Sequence, residues 1–168
     1  MFTAGLVAGG VLTATVLWLL SGLAQPVPPA ARYAVILLVA VLAVARDAGL
    51  VRLPLPQRTW QVPQHVLRRG PLRGALWFGV ELGTGVRTYV SASTPYVLAV
   101  ALLAGGAGFG TAVAAGAGFG LGRACTPLVR MLSRDPDSWD ARWHRSARWL
   151  TTGAAIGMAI ALVALLPG

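Results

Sequence analysis

Charge is scarce in this sequence, and negative charge is scarcer still. Only 11% of the 168 residues are charged and five residues are acidic, whereas soluble domains have about 25% charged residues. Hydrophobic residues make up 56% of the chain, which is more apolar surface than a soluble core can absorb. We therefore expect a single all-α integral membrane domain over residues 1–168, a multi-pass helical bundle with spans of about 20 residues each.

Lysine is absent, and the chain has one cysteine and two histidines. A single cysteine, Cys125, excludes an intrachain disulfide and a redox relay between two cysteines. The two histidines, His65 and His144, lie in different polar segments, so we expect no metal site and no cofactor. The sequence also shows no nucleophile beside a base and no pair of carboxylates, so an enzyme is not expected.

All 14 basic residues are arginines, and most of them lie in two clusters between apolar segments. The first cluster, 52–73, has five arginines, four prolines and no acidic residue, and the second spans 130–148. Such clusters are typical of cytoplasmic loops in membrane proteins. We therefore expect loops 52–73 and 132–148 to face the cytoplasm at the plasma membrane, with the lipid bilayer and not nucleic acid as the partner.

Five apolar segments are long enough to be membrane spans. They lie at about 4–24, 33–50, 74–103, 110–131 and 149–166. Two of these spans separate the arginine clusters, so an amino terminus inside and a carboxyl terminus outside puts both clusters in the cytoplasm. Arg46 and Asp47 near the end of the second span are expected to extend to the membrane interface.

The segment "RDPDSWDARWHRSARW" at 134–149 combines three aspartates, four arginines and three tryptophans. Asp135 and Pro136 are typical of a helix start. Two interpretations stay open for this segment: an amphipathic helix lying on an anionic membrane surface, or a solvated loop with an aromatic belt.

The glycine-rich motif "GAGFG" occurs twice, at 106–110 and 116–120. A phosphate-binding loop needs a preceding strand and a GxGxxG or GxxxxGK[ST] spacing, and the sequence has neither. Instead Ala112, Gly116 and Gly120 recur at intervals of four, a pattern that lets membrane helices approach closely. We expect these three residues to make a tight helix contact, within the chain or in a homo-oligomer.

A polar stretch, "ELGTGVRTYVSASTPY" at 81–96, interrupts the third predicted span. On a continuous helix with 100° per residue, six of its polar side chains fall within a sector of roughly 140°. These six are Glu81, Thr84, Arg87, Thr88, Ser91 and Thr94. Charged groups at membrane depth face a bundle interior or a wet cavity, and Pro95 would free a backbone carbonyl nearby. The stretch predicts a polar membrane site or, alternatively, a structural salt bridge of Glu81 with Arg87 beside a proline kink.

The segments "FGVELGTGVRTYVSASTPYVLAVALL" and "GAGFGLGRACTPL" resemble a helix and its glycine-rich partner in the transmembrane thiol-reductant transporters of the cytochrome c biogenesis and DsbD type. The resemblance implies a small transporter-like bundle with a proline-marked membrane site. That family works through a pair of membrane cysteines, and the corresponding stretch here has no cysteine. The resemblance therefore does not extend to thiol chemistry.

Two functions fit these patterns. The first is a small permease-like protein that forms a homo-oligomer, because one five-helix chain is half the size of a typical repeat-built transporter. The second is a noncatalytic accessory subunit that scaffolds a larger complex with other membrane subunits. A glycine-lined packing face fits both functions.

Overall fold

The computed structural model describes residues 1–54, 71–85 and 92–165, and the regular structure of these residues is helical. This part of the chain forms six α-helices: α1 Phe2–Leu20, α2 Pro29–Asp47, α3 Pro71–Gly83, α4 Thr94–Ala104, α5 Phe109–Leu132 and α6 Pro136–Leu165. A short 3-10 helix, Ser21–Ala24, follows α1. The predicted all-helical fold is confirmed for the described residues.

Four of the described helices are long and apolar enough to cross a membrane. They are Phe2–Ala24, Pro29–Asp47, Phe109–Leu132 and Asp137–Val163. Large apolar side chains project outward from them, and Leu19, Val41 and Ile160 are each more than 60% exposed. Helices that are apolar on all sides, including the outer one, are typical of membrane spans.

The third predicted span, 74–103, differs from the structure because it is not one helix. The helix α3 ends at Gly83, and a turn follows in which Gly85 has a φ of +70°. Glycine adopts this left-handed conformation readily, and it ends helices for that reason. The helix α4 then begins at Thr94 with Pro95 in its first turn, where proline is well tolerated.

This break corrects two expectations about the polar stretch. Pro95 begins a helix and does not kink one, so it frees no carbonyl inside a longer helix. The common sector calculated for the polar side chains also does not apply, because Glu81 and Thr94 belong to different helices.

The helix α6 is continuous from Pro136 to Leu165, so it includes most of the segment 132–148 that was predicted as a loop. Its predicted start is confirmed. The backbone N–H of Ser138 donates to Oδ1 of Asp135 at 3.1 Å, and this hydrogen bond holds the pKa of the Asp135 carboxyl below its usual range. The segment is therefore helical and not a loop, but it continues without a break into the apolar part of α6, and nothing shows it lying on a membrane surface.

The chain divides into two compact units, and successive helices alternate between them. Unit 1 consists of Met1–Trp18, Pro56–Val90 and Ala107–Ser133 and holds α3, α5 and nearly all of α1. Unit 2 consists of Leu19–Leu55, Ser91–Gly106 and Arg134–Gly168 and holds α2, α4 and α6. Each unit therefore combines two long helices with one short helix.

In unit 1, glycines bring α1 and α3 into backbone contact. Gly5 and Gly9 of α1 lie against Gly79 and Gly83 of α3, and a Cβ added at any of the four would clash with the opposite backbone. The residue numbers rise together along the contact, so the two helices run parallel. Each helix contributes a small-xxx-small pair, which is the geometry that permits such close approach.

Another side of α1 contacts α5, through the residues for which the sequence predicts packing. A Cβ added at Gly116 would lie 2.5 Å from the carbonyl oxygen of Gly10, and one added at Gly120 would lie 2.5 Å from that of Leu6. Ala112, one turn earlier on α5, is completely buried. The residue numbers run in opposite directions, so α5 is antiparallel to α1, and this contact lies within one chain.

In unit 2, α2 packs against both α4 and α6. Ala40, Ala43 and Val97 form a buried cluster, and Met158 and Leu162 of α6 pack against it. The small side chains of α2 let the short helix α4 lie close to it. Polar groups of α2 contact both ends of α4.

Candidate functional site

The residues predicted for the polar membrane site fall in two different units. Glu81 lies in the last turn of α3 and Thr84 follows this helix, in unit 1. Thr94 and Pro95 form the first turn of α4, in unit 2. The other three predicted residues lie outside the described residues: Arg87, Thr88 and Ser91.

In unit 1, polar groups of α1 and α3 meet where α3 ends. The hydroxyl of Thr84 donates to the carbonyl of Glu81 at 2.8 Å, and the hydroxyl of Thr13 on α1 donates to the carbonyl of Thr84 at 3.2 Å. Glu81 is half-buried, and its Oε2 is a buried atom. The last turn of α3 contains no basic residue. We call Glu81, Thr84 and Thr13 the α3 end cluster.

The charge of Glu81 has the unfavourable sign for its position on the helix. The C-terminal carbonyls of a helix carry a partial negative charge equivalent to about −0.5 of an elementary charge, so cations are favoured there. Glu81 puts a carboxyl group beside these carbonyls, and transporters bind protons and small cations at the C-terminal ends of broken helices.

In unit 2, a second cluster joins the end of α2 to the start of α4. The side chain of Asp47 is only 1% exposed, and it accepts hydrogen bonds from the backbone N–H of Ser93 at 2.9 Å and from its hydroxyl at 2.7 Å. Nη1 of Arg46 donates to Asp47 at 2.9 Å and to Oγ of Ser93 at 3.1 Å. Nε of Arg46 donates to the carbonyl of Leu53 at 2.9 Å. We call Arg46, Asp47 and Ser93 the α4 start cluster.

The charges of α2 match both ends of the α4 dipole. Asp47 lies at the positive end of α4 and supplies the cap that Ser93, the N-cap residue, does not make with its own side chain. At the negative end, Nη1 of Arg32 donates to the carbonyl of Ala104 at 3.5 Å. The α4 start cluster is therefore electrostatically satisfied, which indicates a role in holding α4 in place and not in ligand binding.

The α4 start cluster differs from what the sequence predicts. Asp47 is expected to extend to the membrane interface, whereas its side chain is buried and accepts hydrogen bonds from Ser93. Ser93 is 46 positions from Asp47, and helical periodicity carries no information about such a distant contact. The sequence "SASTP" does indicate the start of a helix, and a helix that begins here needs a group to cap its N-terminus.

Thr94 is the remaining predicted site residue with a polar side chain in unit 2. Its Oγ1 is buried and has no hydrogen-bond partner within the described ranges. A buried hydroxyl without a partner is destabilising by about 1 to 3 kcal/mol. Thr94 therefore does not belong to the hydrogen-bonded part of the α4 start cluster, although it follows Ser93 directly.

The described residues offer no obvious metal site. Within them, no group of three histidine, cysteine, aspartate or glutamate side chains is arranged to hold a metal ion. Cys125 is exposed on α5, and its thiol contacts the carbonyl of Leu121 at 3.4 Å, one turn earlier. That position is typical of a cysteine on an outward helix face.

Comparison of the chain with models of protein families, with curated proteins and with solved structures finds no match. The likeness to the thiol-reductant transporters thus stays a resemblance of the two quoted segments. The functional conclusion must come from the residues and contacts of this chain.

Proposed function

We propose that this chain is a small, noncatalytic, permease-like protein of the plasma membrane that binds a proton or a small cation at the end of α3. The observation that supports this proposal is a half-buried carboxylate, Glu81, in the last turn of a helix that ends after only 13 residues. Short helices with polar ends inside a membrane domain are typical of transporter ion sites.

The arginines support one orientation of each unit in the membrane. In unit 1, α3 is parallel to α1 and α5 is antiparallel to it, so the start of α1, the start of α3 and the end of α5 lie at the same end of the unit. Arg73 and Arg130 lie at this end. In unit 2 the contacts of Asp47 with Ser93 and of Arg148 with Ala48 define an equivalent arginine-bearing end, with Arg32 at the other end. The positive-inside rule makes the arginine-bearing ends cytoplasmic. The amino terminus is then inside and the carboxyl terminus outside.

This orientation puts Glu81 below the membrane surface. The backbone of Val80, its neighbour on α3, lies between Gly5 and Gly9 of α1. These glycines are three and seven residues from the start of α1 at Phe2, or about 5 to 10 Å along the helix at 1.5 Å per residue. An acidic residue at the centre of a membrane helix is unfavourable by about 2.5 to 3.5 kcal/mol on insertion scales. The position of Glu81 below the membrane surface therefore supports a functional role.

A second candidate, an accessory subunit or homo-oligomer, is favoured by exposed glycines at which an added Cβ would meet no atom of the described residues. A Cβ added at Gly118 or Gly122 of α5, or at Gly153 or Gly157 of α6, would meet no atom within 4 Å. Each pair has the spacing that brings membrane helices together. These outer faces could pack against other subunits whether or not the α3 end cluster binds an ion.

The ion-site proposal predicts that water reaches the α3 end cluster. In a Cys125→Ser background, we expect Thr84→Cys to react with a charged, water-soluble thiol reagent in intact membranes, because the reactive thiolate forms only where water is present. The matched control is Leu12→Cys on α1, next to Thr13 and therefore at the depth of Thr84, whose side chain is 55% exposed and would contact lipid. It should react far more slowly. Equal, very slow reaction of both thiols would mean that the cluster is dry and serves packing only.

A further inference from the structure

The first half of α6 carries an exposed basic and aromatic surface that neither polar cluster uses. Arg142, Arg145 and Trp149 are exposed, and Trp149 is 78% exposed. At 100° per residue, Trp149 lies within about 40° of both arginines on the helix. We call these three residues the α6 collar. Just before it, the rings of Trp139 and Trp143 stack at 5.4 Å with an angle of 8° between their planes.

The length of α6 fixes where the collar lies in a bilayer. The helix has 30 residues and is therefore about 45 Å long, whereas the hydrocarbon core is about 30 Å thick and is crossed by about 20 residues. Twenty residues counted back from Leu165 reach position 146. Trp149 then lies just inside the hydrocarbon boundary, and Arg145 and Arg142 follow within about 6 Å beyond it. That is the depth of the lipid phosphates.

Arg142 and Arg145 are exposed and make no hydrogen bond within the described residues, unlike Arg46 and Arg148 of the same unit. Arg148 donates to the carbonyl of Ala48, and Arg46 belongs to the α4 start cluster. The pKa of the Asp135 carboxyl is lowered by its hydrogen bonds from Ser138, which cap α6, and by the charge of Arg142, so Arg142 has one acidic neighbour along the helix. Asp140 lies about 160° from Arg142 around the helix at 100° per residue, so it does not share the collar face.

We infer that the α6 collar binds the phosphate headgroups of anionic phospholipids on the cytoplasmic side of the membrane. Two guanidinium groups at phosphate depth match the negative charge of such a headgroup, and arginine suits phosphate because its planar group offers paired donors. Trp149 fits the boundary below, where tryptophan is enriched in membrane proteins. This inference depends on the membrane placement proposed above but not on the cation site, because the α3 end cluster lies in the other unit.

The test is lipid preference measured by tryptophan quenching. The purified chain is reconstituted into phosphatidylcholine vesicles that contain increasing fractions of brominated phosphatidylglycerol, and the quenching gives its binding constant relative to brominated phosphatidylcholine. We expect wild type to prefer the anionic lipid, and Arg142→Gln/Arg145→Gln to reduce the preference by about five-fold for each arginine. Raising the salt concentration should weaken the wild-type preference.

A charge-preserving variant separates charge from loss of structure. Arg142→Lys/Arg145→Lys should keep most of the preference, and all three proteins should melt alike because both side chains are exposed. The inference is overturned if wild type is quenched equally by the two lipids, or if the glutamine variant keeps the wild-type preference. If either of these results is found and Thr84→Cys still reacts with the water-soluble thiol reagent, the proposed lipid site is wrong but the proposed ion site is not.

Discussion

Replacing Gly120 with alanine should lower the thermal stability of the detergent-purified protein, whereas the same replacement at Gly118, two positions earlier on α5, should leave it unchanged or raise it. A Cβ at Gly120 would lie 2.5 to 2.8 Å from backbone atoms of Leu6 and Val7 on α1, which cannot move aside as a side chain can. At Gly118 the same Cβ meets nothing within 4 Å. The two variants thus differ in the contact and not in the type of substitution.

The two variants are expected to change stability in opposite directions for two separate physical reasons. Overpacking at Gly120 forces α1 and α5 apart and should be destabilising by about 1 to 3 kcal/mol, with a larger loss for Gly120→Leu. At Gly118 only helix propensity changes, which favours alanine over glycine by up to about 1 kcal/mol. Thermal melts of wild type, Gly120→Ala, Gly120→Leu and Gly118→Ala measure the effect of overpacking and the effect of helix propensity. Equal melting of Gly120→Ala and Gly118→Ala would show that α1 and α5 do not touch at Gly120.

Replacing Asp47 with alanine should be the most destabilising single change among the charged residues of unit 2. It removes the acceptor for both groups of Ser93 and leaves Arg46, which is 22% exposed, without its ion-pair partner. Breaking a buried pair by removing one member is destabilising by about 3 to 5 kcal/mol. Because Arg46 is partly exposed, we expect a value near 3 kcal/mol, measured as the free energy of unfolding in a denaturant titration.

Two controls show whether this loss comes from the α4 start cluster. Asp47→Asn keeps one acceptor oxygen for Ser93, but it replaces the other oxygen with an NH2 donor and removes the charge, so it should fall between wild type and Asp47→Ala. Asp137→Ala removes an exposed acidic residue from the first turn of α6, so it should be destabilising by no more than about 1 kcal/mol. If Asp47→Ala is destabilising by no more than about 1 kcal/mol, as expected for Asp137→Ala, the α4 start cluster does not hold α4 in place.

The positions of the long helices could be predicted because the apolar residues that identify each helix are consecutive in the sequence. An uninterrupted apolar run of about 20 residues identifies a candidate span wherever the rest of the chain lies. Four predicted spans coincide with helices of the structure, and their ends differ by a few residues, except at α6. There the hydrophobic run begins near Trp149, but Asp135 and Pro136 start the helix thirteen residues earlier.

The break between α3 and α4 was missed because a count of apolar residues averages across it. The residues that make the break are visible in the sequence: Gly83 and Gly85 end one helix, and Ser93 with Pro95 begins the next. Each is an ordinary helix-ending or helix-starting signal. Together these signals predict two helices in place of the single span 74–103.

Packing was predictable where the small residues repeat, and not elsewhere. The spacing of Gly116 and Gly120 drew attention to α5, but the same spacing at Gly5 and Gly9 in α1 and at Gly79 and Gly83 in α3 was not recognised as an interface. The pattern shows which helices can approach closely. It does not show which helices pair, because pairing depends on the register of segments far apart in the chain.

The most direct test of the central claim, an ion site at Glu81, is the thermal stability of wild type and Glu81→Gln as sodium replaces choline at constant ionic strength. A cation that binds only the folded protein stabilises it by about 2.7 kcal/mol at a concentration of 100 times Kd. We expect wild type to gain stability with sodium and Glu81→Gln, which keeps the shape of the side chain, to gain none. An equal dependence of stability on sodium in both proteins would contradict the account.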